Sequence, residues 1–146
     1  RGGLGVQVTT DGDKAWAEQR REQALAHGER LAQAKAQETV RARALVAAFV
    51  ERAQAAGVPT EQLVARDYSG RGPFRTAKRG WYVRTNRTAA VGDDGEFYVL
   101  VVEGGLMSRL RGATLTPSDP PLVLGAGGRD GESIALRDAL ARVAPE

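Results

Sequence analysis

Cysteine is absent from this chain, and histidine occurs once, at His27. Disulfides and thiolate metal sites are therefore excluded, as are clusters of imidazole ligands. No run approaches the ~18 consecutive apolar residues that a membrane-spanning helix needs. Arg1–Thr10 also lacks the apolar stretch of a secretory signal. The expected location is cytoplasmic, with no membrane contact. Catalytic signatures are missing as well. There is no G-x-S-x-G or H-E-x-x-H motif, and no His or Lys accompanies the carboxylate pairs Asp93-Asp94 and Asp130/Glu132 as acid, base or nucleophile. The glycine-rich run from Gly125 to Gly131 lacks the Gly-Lys-Ser/Thr ending of a phosphate loop and reads as a connection. These absences point away from an enzyme, and no cofactor is expected.

What the chain does hold is one domain's worth of apolar residues, 42% of 146, and a net charge of +3. Of the basic residues 18 are Arg and 3 are Lys, beside 24 Ala, a bias that a GC-rich coding sequence produces unaided. The distribution of charge is thus more informative than its total. Residues 66–90 hold seven basic side chains and one acid, Asp67.

Arg1–Asp13 reads as a flexible leader, in which Val6 and Val8 alternate as in a brief edge strand. From Lys14 to Ala56 there is no proline, and Ala, Glu, Gln, Arg and Leu dominate, all strong helix formers. Residues 14–57 therefore form a long helix or arm, ~65 Å if unbroken. Gly28 marks a candidate break, since glycine costs ~1 kcal/mol relative to alanine inside a helix. Gly57 and Pro59 define its end. Leu45, Val46, Phe49, Val50 and Ala53 share one arc of the second half and should lie on a sheet. The large apolar residues of the first half, Trp16, Leu25, Leu31 and Val40, scatter around the wheel and offer no coiled-coil seam.

Residues 58–146 read as an antiparallel sheet domain with a short C-terminal helix. "LVARDY" reads as a strand in preference to the end of a short helix begun at Thr60, and Phe74–Thr76 as a second strand, with Ala77–Gly80 as a turn. Lys78–Val102 is the expected centre, a three-strand meander turning at Asn86 and at Asp93-Asp94-Gly95, where Asp-Gly supplies positive φ. Further on, Leu106 and Leu110 suit one helical turn, and Ala113–Thr116 and "LVLG" suit short strands. Asp130 or Ser133 could cap a terminal helix carrying Ile134, Leu136, Leu140 and Val143. The predicted fold class is α+β. "KRGWYVRTNR", "DGEFYVLVV" and "GGRDGES" together resemble small uncharacterised proteins from high-GC bacteria, a resemblance that carries no catalytic or binding residues with it.

Two functions follow as expectations. The first is a non-enzymatic protein-interaction module, in which Trp16, Leu25 and Leu31 on the long helix contact another copy or a different protein. The alternative is RNA or single-stranded DNA binding through 66–90. There Arg75, Lys78, Arg79, Arg84 and Arg87 would contact phosphates, and Trp81 or Tyr82 would stack a base.

Overall fold

The structure, a computed structural model, describes residues 2–67, 72–102, 115–125 and 133–146, the first nine of them as backbone only. The fold is α+β, with a long N-terminal helix, an antiparallel sheet and a short C-terminal helix. Helix α1 is Gly2–Ala55. Strands follow as β1 Glu61–Asp67, β2 Phe74–Tyr82, β3 Ala89–Gly92, β4 Phe97–Val99, β5 Val101–Val102, β6 Val123–Leu124 and β7 Ile134–Ala135, and helix α2 is Leu136–Val143. Two compact units divide the chain after Gln37.

Within the first unit, α1 passes through Gly28 without a break, and a methyl group added there would meet nothing within 4 Å. The flanking helix formers absorb the cost of one glycine, so the predicted break does not occur. The backbone of residues 2–13, read from the sequence as a loose leader with an edge strand at Val6 and Val8, is helical here. The side chains of residues 11–36 are exposed, apart from a half-buried Ala17.

In the second unit α1 stops as its sequence directs. Gly57 takes φ +69°, its N–H donates to Gln54 O at 3.1 Å, and Val58 N–H donates to Ala53 O at 2.9 Å. This pair of bonds is the Schellman motif, and the Val58–Ala53 apolar contact that accompanies it belongs to the main core. Upstream, Ala42, Val46, Phe49 and Ala53 are buried against Trp81, Val83, Val91 and Phe97 of the sheet and Leu136, Ala139 and Leu140 of α2. The helix α2 starts later than Asp130 or Ser133 would place it. Ala135 precedes it without a side-chain cap, and Leu136 N–H donates instead to Leu122 O at 2.8 Å. Ile134, expected in that helix, belongs to β7, which pairs with β6.

Strands β1 to β4 pair antiparallel in sequence order. The turn expected at Ala77–Gly80 is instead an irregularity inside one strand. Between the pairs Gln62–Arg79 and Val64–Arg75 the register shifts, leaving Leu63 opposite the Thr76–Lys78 segment. A bulge interrupts the backbone ladder. Side chains take over the freed groups: Thr76 Oγ1 donates to Leu63 O at 2.8 Å and accepts from Lys78 N–H at 3.2 Å, while Val64 N–H donates to Tyr82 Oη at 2.9 Å.

The sheet is not purely antiparallel, because β5 pairs parallel with β1. Phe97–Val102 is one extended run that serves both edges. Its first half pairs with β3 and its second with β1, and Leu100 is the pivot: its N–H donates to Thr88 O and its C=O accepts from Arg66 N–H, each at 2.8 Å. The one run thereby supplies the strands at both ends of the sheet, whose order is β4-β3-β2-β1-β5. Alternation along the strands then supplies two cores. Trp81, Val83, Val91 and Phe97 face α1, whereas Leu63, Ala90, Tyr98 and Leu100 fill a second core with Leu115. Of the remaining sequence expectations, Leu115–Thr116 are irregular, and Leu106–Leu110, Ala113 and the glycine-rich run from 126 onward lie outside the described residues.

Candidate functional site

Three groups of residues qualify for a role, and the exposed apolar side chains of α1 come first. Trp16 is 59% exposed, Leu25 69% and Leu31 58%. The Arg20 guanidinium lies over the Trp16 ring, 4.4 Å from its centroid, one helical turn away. At 3.6 residues per turn Trp16 and Leu31 lie about 60° apart around the helix, with Leu25 on the opposite side of Trp16. These residues present apolar area on two faces.

The described residues of the basic stretch 66–90 lie in different surroundings. Trp81 is a core residue, 4% exposed, with its indole N–H donating to Val58 O at 3.0 Å. It offers no face to a base, because strand alternation turns it towards α1. Tyr82 is half-buried; its hydroxyl serves the bulge, and the Arg87 guanidinium stacks 4.0 Å from its ring centroid. Arg87 also pairs with Glu61 at 3.1 Å, and that bond holds its pKa above the ordinary arginine value. Lys78 pairs with Asp94 at 3.2 Å. Arg79 donates to Thr60 O at 2.9 Å and to Thr60 Oγ1 at 3.3 Å. Arg84 is half-buried against Gly125, and Arg75 is exposed on β2. Of the seven predicted residues, Tyr82 and Arg87 are thus brought together, Lys78 and Arg79 are each tied into another local contact, Trp81 is in the core, Arg84 is half-buried and Arg75 is exposed.

The third group was not anticipated from the sequence. The β3–β4 hairpin turns through Asp93-Asp94-Gly95, with Gly95 at φ +83° and Gly92 N–H donating to Glu96 O at 2.8 Å, a three-residue loop ending in a left-handed glycine. Within it Asp94 Oδ1 accepts the Glu96 N–H at 3.0 Å, and Oδ2 accepts the Tyr98 hydroxyl at 2.5 Å beside Lys78 Nζ. Burial acts to raise the Asp94 pKa, but the bonds from Tyr98, the Glu96 amide and Lys78 outweigh it and hold the carboxyl below its ordinary value. Burial, reinforced by the same Asp94 bond, pushes the Tyr98 hydroxyl up. These bonds tie the turn to Lys78 of β2 and Tyr98 of β4, and so fix the hairpin. The signal available in the sequence was Asp94 four residues before Tyr98 across a tight turn.

Among the described residues no three or more His, Asp or Glu side chains converge as a metal site would require, and no helix is long and apolar enough to cross a membrane. Compared with protein-family models, curated proteins and solved structures, the chain finds no match.

Proposed function

We propose that this chain is a non-enzymatic protein-interaction module whose contact element is the N-terminal part of α1. The observation that carries this reading is the exposure of Trp16, Leu25 and Leu31, each more than half open to solvent within sixteen residues of one helix. Burying a leucine side chain contributes ~1.5–3 kcal/mol and a tryptophan at least as much, so a partner covering these groups would gain a useful affinity. Tryptophan and arginine are also the residue types that dominate protein interfaces, and here Arg20 already rests on Trp16. Because the apolar groups lie on two faces, the partner reaches around the helix or contacts it from both sides.

Nucleic-acid binding through 66–90 has less support. Of its two expected stacking rings, Trp81 is buried and Tyr82 is half-buried beside the Arg87 guanidinium, and Lys78, Arg79 and Arg87 already have partners.

Sedimentation of the full chain at up to about 100 µM, a range that detects weak interfaces, tests the proposal. It should be run beside the variant Trp16→Gln/Leu25→Gln/Leu31→Gln, which keeps good helix formers. A concentration-dependent mass, or a co-purifying protein, that the triple variant loses supports the proposal. A monomeric full chain that retains the same companions as the triple variant sinks it.

A further inference from the structure

The contact segment of α1 is divided by charge as well as by apolarity. Residues 11–34 carry four cations and five acids, nearly balanced in number. They are not balanced around the helix. At 3.6 residues per turn, Leu31 lies about 60° and Leu25 about 180° round from Trp16 in the same sense, so the three residues bound one half of the surface. That half holds Lys14, Arg20 and Arg21, with Asp13 as its one acid. The other half holds Asp11, Glu18, Glu22 and Glu29, with Arg30 as its one cation, and all three glutamines of the segment.

The cations border the apolar groups. Arg20 falls between Trp16 and Leu31, while Lys14 and Arg21 lie next to Leu25. All three are exposed, and none forms an ion pair with another described residue. A helix that stands alone in water gains from opposite charges spaced three or four residues apart, whereas Glu18 and Glu22 repel at that spacing. The segregation therefore costs the free helix and favours a helix with a charged neighbour.

We propose that the half of α1 running from Trp16 through Leu31 to Leu25 docks on a different protein, into an apolar seat rimmed by aspartate or glutamate. This rests on the interaction role of α1 and adds the chemistry of the partner, which charge complementarity selects. A second copy facing the same half would set Lys14, Arg20 and Arg21 against like charges. A nucleic acid would satisfy the cations but leave Leu25 and Leu31 without apolar cover. Helices that lie on anionic membranes carry lysine and arginine on their polar half, and here that half is acidic.

Ala24 lies near the centre of the contact half and Ala26 in the other, both exposed. The test places a benzophenone side chain at either position of the full chain, irradiates it in its own cells and sequences the joined peptide by mass spectrometry. Expected are protein adducts from Ala24 and not from Ala26, on a segment of another protein with an excess of acidic residues. Arg20→Glu/Arg21→Glu should lower the Ala24 yield about tenfold or more, because like charges then meet at the rim. Glu22→Lys/Glu29→Lys, an equal charge change on the other half, should not lower it. An Ala24 protein adduct that survives the arginine reversal, or that lies on the same chain or on a segment without acidic excess, overturns this chemistry and leaves the interaction role of α1 standing. Adducts to nucleic acid alone, or none at either position, overturn both.

Discussion

The Trp81 indole meets the Phe49 ring edge-on, their centroids 5.5 Å apart and their planes at 88°. This is a favoured aromatic geometry, and it joins the C-terminal part of α1 to the centre of the sheet. The indole N–H is fixed at the same time by the carbonyl of Val58, the residue that completes the C-terminal motif of α1. One side chain thus holds both the flank and the end of the helix.

Removing either ring should therefore be costly. Phe49→Ala and Trp81→Ala are each expected to destabilise the fold by about 3–5 kcal/mol, the range for large aromatic truncations in a core. Because the two share one contact, their double mutant should lose less than the sum. Urea unfolding of the four proteins in a double-mutant cycle checks this.

Gly80 stands opposite Gly92 in the β2–β3 pair, and a methyl group at Gly80 would lie 2.2 Å from the Val91 carbonyl oxygen. Only backbone movement relieves that clash. Gly80→Ala should cost about 3 kcal/mol or more, at the upper end of overpacking effects. The exposed Gly28→Ala, with open space around it, should instead stabilise by about 1 kcal/mol. Thermal unfolding of both variants reads the contrast in sign.

Asp94 gives the fold a pH dependence. Its pKa is held down in the folded state, so its stabilising contribution is fully present above the unfolded value and is lost as the pH falls through the folded one. Asp94→Asn should lower the urea midpoint at pH 7, and the gap to wild type should begin to narrow below about pH 4, the ordinary range of the carboxyl, and go on narrowing as the pH falls through the lower folded value. An Asn variant equally destabilised at pH 7 and pH 3 would show that the bonds to Tyr98 and Lys78 contribute nothing through charge.

Thr76→Val should expose the weakness of the β2 bulge. The substitution leaves Leu63 C=O and Lys78 N–H without their side-chain partner, at a cost of about 1–3 kcal/mol for a buried site. Amide hydrogen exchange should rise at Leu63, Val64 and Lys78 before it rises at Phe49.

Local chemistry was legible in the chain, and long-range pairing was not. Gly57 with Pro59, and Asp94 with Gly95, dictate positive φ or a stop at single positions, and the structure places an end and a turn there. The arc of Val46, Phe49 and Ala53 likewise specifies a buried face whatever it packs on. Alternation around Trp81 said that one side of the strand is buried but not which, and this is why the indole was a candidate for stacking. The register shift at Thr76–Lys78 looked like a turn because Lys-Arg-Gly breaks the apolar pattern; only the partner Leu63, 13 residues before Thr76, makes it a bulge. Leu100 as the pivot between two pairings depends on β1 lying next to β5, a pairing with no local signature. The exposure of Trp16, Leu25 and Leu31 was readable from their scatter, since residues on no common face cannot all be buried by one surface.

The most direct test of α1 as a contact element is site-specific photo-crosslinking of the full chain in its own cells. A benzophenone side chain replaces Trp16, Leu25 or Leu31 in turn, with exposed Gln33 as the control position. Covalent adducts to a protein, the same chain or another, are expected from the three apolar positions and not from Gln33. Irradiation that yields no protein adduct at any of the three, or an identical pattern at Gln33, would refute the interaction role.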